Sequence, residues 1–125
     1  MKKKIILAIT GASGSIYAVQ FLKHLHRADI EVHAIISDVG RQVLQHELGV
    51  MPDDLQEFVE QWHAVSDLAA PMSSGSSKFA AMVILPCTMG SLGAIANGVA
   101  KNLIHRAADV MLKEKKPLLL AVRET

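Results

Sequence analysis

Lys4-Ile5-Ile6-Leu7-Ala8-Ile9-Thr10-Gly11-Ala12-Ser13-Gly14-Ser15 changes character twice in a short space. Residues 4–10 form a mostly apolar, β-branched run, which reads as a first buried strand. Residues 11–14 supply a tight, glycine-bearing turn. From Ser15 onward Ile16, Val19, Phe21, Leu22 and Leu25 recur at helical spacing, which predicts a helix over 15–27. A strand, a glycine turn and a helix in that order are the opening of a β-α-β unit, and they favour a parallel sheet covered by helices.

The alternation continues to the end of the chain. Residues 31–37 read as a second strand and 39–47 as a helix. Residues 49–52 break the pattern, and Asp53 or Asp54 is placed to cap a short helix through Trp62. Residues 80–85 are almost wholly apolar and read as a strand buried on both faces and ended by Pro86. Residues 90–97 and 103–115 read as helices. Pro117 then separates the second helix from a last strand at 118–122. The expectation is an α/β fold with a mostly parallel sheet, formed as one domain over residues 1–125, with no internal repeat.

Composition narrows the function classes. The chain has 125 residues and half of them are hydrophobic, enough for one packed core and not a disordered composition. A formal net charge of +1 gives no broad claim on nucleic acid. No apolar stretch is long enough to span a bilayer, and the run after the three N-terminal lysines is too short for a secretory core. Cys87 is the single cysteine, so no internal disulfide can form and a cytoplasmic location is the simplest expectation. The six histidines show no metal spacing, and no metal is expected.

In parallel α/β sheets ligands sit beyond the C-terminal strand ends. Four segments are predicted there, at 10–15, 37–38, 86–91 and 123–125, and they concentrate Gly, Ser, Thr and charge. The turn at 10–15 can bring backbone N–H groups and a helix N-terminus to an anion, with Ser13 and Ser15 as added donors; a serine-capped turn with no ligand is the plainer reading. The same turn resembles that of nicotinamide-dependent reductases, with Asp38 as a ribose contact. The Gly-x-Gly-x-x-Gly spacing and a Tyr-x-x-x-Lys pair are both absent. Thr88 and Ser91 can present hydroxyls and N–H groups to a ligand, or Thr88 can simply cap a helix. Cys87 has no base beside it and is assigned no chemistry. Ser73-Ser74-Gly75-Ser76-Ser77 is a linker or a functional loop, and so small a domain favours the loop. Arg106, Asp109 and Lys113 share one helix face, where an ion pair is the plain reading. Arg123-Glu124 stands directly after the last strand, a position suited to phosphate binding and proton transfer.

Taken in order, residues 10–14, 73–76, 82–87, 102–110, 112–114 and 122–125 resemble the UbiX-like flavin prenyltransferases, a flavoprotein family that includes partners of phenolic acid decarboxylases. The resemblance implies a Rossmann-like, flavodoxin-type three-layer sandwich that binds FMN. It implies metal-independent transfer of a dimethylallyl group from dimethylallyl phosphate to reduced FMN. The product, prenylated FMN, serves a UbiD-type decarboxylase in ubiquinone biosynthesis or phenolic acid metabolism. Relatives form large homo-oligomers, dodecamers among them, with the flavin near subunit contacts. By this resemblance Gly11, Ala12, Ser13, Ser37, Thr88, Met89, Gly90, Ser91 and Arg123 are flavin contacts. Lys113 is the donor-phosphate lysine, Glu124 the proton-transferring carboxylate, and Glu47 a glutamate near the reaction. Thr88 stands where the family usually has serine, and Gly90 where a lysine is common. The family continues beyond Arg-Glu-Thr into a segment bearing a donor-binding tyrosine and arginine. The chain is therefore expected to be a C-terminally incomplete member with an exposed last strand; an FMN-binding module or fragment without catalysis is the alternative.

Overall fold

A computed structural model of the chain describes residues 2–124. Met1 and Thr125, the closing residue of the 122–125 motif, lie outside the described residues. In chain order the elements are β1 (Lys4–Ile9), α1 (Ser15–Arg27), β2 (Glu31–Ile36), α2 (Asp38–Leu48), β3 (Gln61–His63), β4 (Ala81–Thr88), α3 (Met89–Ala96), α4 (Leu103–Lys113) and β5 (Leu118–Arg123). The sheet order is β3-β2-β1-β4-β5, and every pairing is parallel. The four longer strands alone follow the flavodoxin order. The short β3 on the outer side of β2 extends it to the order found in dinucleotide-binding sheets.

Apolar side chains alternate to the two faces of β1 and fill both layers. Ile6 and Ala8 join Ile84, Leu103, Ile104, Ala107 and Met111 beneath α3 and α4. Leu7 and Ile9 join Ala18, Leu22, Ile36 and Leu44 beneath α1 and α2. Burying each large aliphatic side chain stabilises the fold by about 1.5–3 kcal/mol, so the central strands anchor the three-layer sandwich. Ile16, counted at sequence level with the apolar stripe of α1, is 42% exposed; Ala18 takes its place in the core.

Two regions depart from the sequence expectation. The helix expected from Asp53 or Asp54 to Trp62 is instead a 3-10 turn at Pro52–Phe58 followed by β3. Asp54 does act at its start, accepting the Met51 N–H at 2.9 Å. Trp62 lies in β3, and His63 is held against β2 by a 2.9 Å hydrogen bond between its Nε2 and His33 Nδ1. The second departure is β4, which does not stop at Leu85. It runs through Pro86 to Thr88, with an irregularity in its pairing to β5 between Ile84 and Cys87. Proline lacks an N–H and ordinarily ends a ladder; the irregular register at this point accommodates it.

Gly40 lets α2 start close to the sheet. A β-carbon there would lie 2.7 Å from the Ile9 carbonyl oxygen and 3.0 Å from Ser37 Oγ. The carbonyl is fixed by β1, so the helix start would have to move. Gly40→Ala is expected to lower stability by about 1–3 kcal/mol, seen as a lower urea midpoint at unchanged slope; an unchanged midpoint would contradict this packing.

Candidate functional site

Because all strands run the same way, their C-terminal ends meet at one pole. That pole carries 10–15, Ser37, 88–91 and Arg123, as the sequence predicts. At the first turn Gly14 adopts φ 114°, a conformation that favours glycine, and α1 begins at Ser15. Gly11 lies flush against Val39, whose side chain fills the space a β-carbon would need.

Glu47, in the last turn of α2, reaches this turn. Its carboxylate accepts the Ser13 hydroxyl at 2.7 Å and the Gly14 and Ser15 N–H groups, each at 3.1 Å. Those three donors, the Ser13 hydroxyl first, hold its pKa at about 2, below the ordinary 4.5. The N-terminus of α1, the anion site expected from sequence, is thus already occupied by an internal carboxylate. Glu47 stays ionised near neutral pH, so in this arrangement it accepts and orients rather than donates a proton. No sequence signal links Glu47 to Ser13, because the contact spans 34 positions and depends on how α2 leans on α1.

The second and third turns are capped from within. Ser37 Oγ accepts the Gly40 N–H at 3.0 Å and starts α2. Thr88 Oγ accepts the Ser91 N–H at 3.0 Å and donates to Ser91 Oγ at 2.9 Å, starting α3. The plain capping reading of Thr88 therefore holds. Met89 is half exposed at the head of α3, and a β-carbon on Gly90 would meet nothing nearer than Thr88 Oγ at 3.9 Å. The N-terminus of α3 is thus open, with unpaired N–H groups and the favourable end of the helix dipole. Ala12 is buried behind the first turn. Arg123 lines a surface cleft with Ser13, Gly14, Ile16, Tyr17, His46, Glu47 and Leu48. Ile16 and Tyr17 supply an apolar wall to that cleft, which sequence reading assigned to the core or left aside. Glu124 follows Arg123 at the same pole and is exposed.

Lys113 does not join this group. It ends α4 at the opposite pole, where β5 is about to begin. The length of β5 alone puts roughly 20 Å between the two ends. Lys113 Nζ pairs with Asp109 at 3.1 Å, as the shared helix face suggests, and lines a groove with Ser73, Ser74, Gly75, Arg106 and Glu114. The serine segment is thus no idle linker. Arg106 Nε donates to the Ser73 carbonyl at 3.3 Å, and Gly75 lies against the Glu114 carboxylate, whose flexible side chain a β-carbon there would displace. Within one chain the expected donor pair Lys113 and Glu124 is split between the two poles. Cys87 is fully buried, and burial raises its thiol pKa, which leaves it inert. Among the described residues no three His, Cys, Asp or Glu side chains gather as a metal-binding cluster.

The ionised Glu47 contributes stability that is fully present above pH 4.5 and is lost as pH falls toward 2. Glu47→Gln, which keeps an acceptor and removes the charge, is expected to be less stable than the parent above pH 4.5, with the difference shrinking toward pH 2. Urea unfolding at several pH values reads this directly, and a difference of constant width would count against the carboxylate's role.

The whole of residues 1–123 matches the family model described as Flavoprotein. The flavin prenyltransferase UbiX of Methanothermobacter thermautotrophicus is 50% identical over 123 residues, which is 98% of this chain and 64% of that protein. The chain therefore spans somewhat under two thirds of that relative's length. The crystal structure of AnUbiX (PadA1) in complex with FMN and dimethylallyl pyrophosphate superposes with a TM-score of 0.97 at 37% identity, over 100% of this chain and 66% of that one. The dodecameric FMN-dependent UbiX-like decarboxylase of Escherichia coli O157:H7 gives a TM-score of 0.94 at 35% identity, over 98% of this chain and 67% of that one. Together with the motif order and the parallel sheet, these matches leave one assignment: the chain belongs to the UbiX-like flavin prenyltransferase family of flavoproteins.

Proposed function

We propose that this protein binds FMN at the pole formed by the C-terminal strand ends and transfers a dimethylallyl group from dimethylallyl phosphate to the reduced flavin. The prenylated FMN so made would serve a UbiD-type decarboxylase. The observation that carries the reading is the convergence of Gly11, Ala12 and Ser13, Ser37, Thr88 to Ser91, and Arg123 on one pole, in a chain that superposes over 100% of its own length on 66% of an FMN-bound relative.

The residues present fit the cofactor. The open N-terminus of α3 suits a phosphate, since Gly90 leaves the approach clear and the helix dipole favours an anion. At the first turn Glu47 already satisfies the α1 N-terminus, so an anion is directed away from it and Ser13 is held in one orientation. Arg123 supplies a permanent cation to the cleft beside Ser13. When bound, reduced FMN supplies the nucleophile. Departure of the allylic phosphate builds negative charge on the leaving group, which cationic and hydroxyl donors stabilise. Glu124, exposed beside Arg123, is the carboxylate available to take and return a proton.

Lys113 acts on the same donor only if a second copy of the chain presents its own opposite pole. This reading therefore includes a homo-oligomer in which Lys113 and Arg106 of one copy face Arg123 and Glu124 of the next; the dodecameric relative is consistent with it. The separation of Lys113 from Glu124 within one chain also favours a second reading, in which this chain alone binds flavin without turnover.

Incubation with reduced FMN and dimethylallyl phosphate without oxygen is expected to yield FMN heavier by one dimethylallyl group, detected by mass spectrometry. FMN binding with no such product selects the flavin-binding module. Failure to bind FMN rejects both readings.

A further inference from the structure

Thr10 directly follows β1 and is 3% exposed, so its hydroxyl has to find partners inside the protein. It finds two. Thr10 Oγ donates to the Pro86 carbonyl at 2.7 Å and accepts the Thr88 N–H at 2.9 Å. The Thr10 backbone N–H also donates to the Pro86 carbonyl, at 3.2 Å. The regular β1–β4 register ends at Ala8 and Ile84, and Pro86 has no N–H with which to continue it. The threonine side chain takes over where the ladder stops.

Its place in the topology gives that bridge a consequence. β1 and β4 are neighbours in the sheet but not in sequence, and the strand order reverses between them. The crevice at such a reversal is where open α/β sheets hold their ligands. One wall of it, the turn beginning at Gly11, follows Thr10 directly in the chain. The opposite wall begins at Thr88, whose amide Thr10 grips and whose own hydroxyl starts α3. We infer that Thr10 is a positioning residue of the flavin site, setting the spacing between the Gly11–Ser13 turn and the Thr88–Ser91 turn through its two-sided hydrogen bond. The inference rests on the flavin-binding reading above.

The bridge needs one group that both donates and accepts. Serine retains it, whereas valine keeps the shape and loses both bonds, leaving the Thr88 N–H without its hydroxyl acceptor. Hydrogen bonds weaken steeply with angle, so a small displacement of Thr88 misdirects the donors behind it.

The test titrates FMN into the full chain and its variants, following flavin fluorescence and the visible absorption bands well below each melting temperature. Thr10→Ser is expected to bind within about 3-fold of the parent with the same bands. Thr10→Val is expected to bind roughly 10-fold or more weakly, with shifted bands. If Thr10→Val does not fold, Thr10→Cys replaces it and is expected to bind several-fold more weakly, because a thiol is a poor bridge. Parent-like affinity and bands in Thr10→Val or Thr10→Cys, even with lowered stability, would overturn the inference. No FMN binding by the unsubstituted chain would instead overturn the flavin reading itself, and this inference with it.

Discussion

Burial of β1 on both faces is the constraint from which the rest of the molecule follows. Ile6, Leu7, Ala8 and Ile9 are all fully buried, and they point alternately into two separate cores. A strand in that position needs a neighbour on each side and a helical layer on each face. β2 and β4 supply the neighbours in parallel, and parallel strands need crossovers. The crossovers α1, α3 and α4 become the covering layers. The same geometry sends the strand ends to one pole, so the chemistry-bearing turns meet without any of them being adjacent in sequence.

At that pole the helix N-termini are not equivalent. The one at α1 is satisfied by Glu47, through the Ser13 hydroxyl and two backbone N–H groups. The one at α3 is capped only by Thr88, whose hydroxyl takes the Ser91 N–H and leaves the helix face beside Gly90 open. Two turns that look alike as sequence, each glycine-bearing and hydroxyl-rich, therefore differ in what they offer an anion. The difference comes from the end of α2, which Gly40 allows to start close to β1 and which carries Glu47 to the α1 turn at its far end.

The parts of this arrangement that were legible in the sequence are those set by local pattern. The apolar runs at 5–9, 82–85 and 118–120 and the helical spacing of Val19, Leu22 and Leu25 are enough for an α/β reading, because a two-sided core leaves few other arrangements. The short strand at Gln61–His63 was not legible. Three residues carry no period, and His63 is held by a histidine on β2. The extension of β4 through Pro86 was hidden for the opposite reason, since the local rule that proline ends a strand is overridden by tertiary pairing with β5. The strand pattern and the motif order put Gly11, Ser37, Thr88 and Arg123 at the C-terminal strand ends, and these residues do share one pole. The contact between Glu47 and Ser13 and the separation of Lys113 from Glu124 are properties of packing and of chain direction, which motif order does not encode.

That separation bears on what a single chain can do. α4 runs against the strands, so it starts on the side of the C-terminal strand ends and its last turn lies at the opposite pole. Lys113 ends the helix there, in a groove that runs back along α4 to Arg106 and the docked serine loop. No side-chain rearrangement spans roughly 20 Å, since an extended lysine covers less than a third of it. The two cationic sites are therefore two halves of different surfaces, one on each end of the sheet. On the proposed reading a donor phosphate that needs both can be gripped only where the ends of two copies meet. Flavin binding, which draws on one pole alone, asks for less. On that reading cofactor binding is a property of the chain, and donor binding through Lys113 is a property of an assembly.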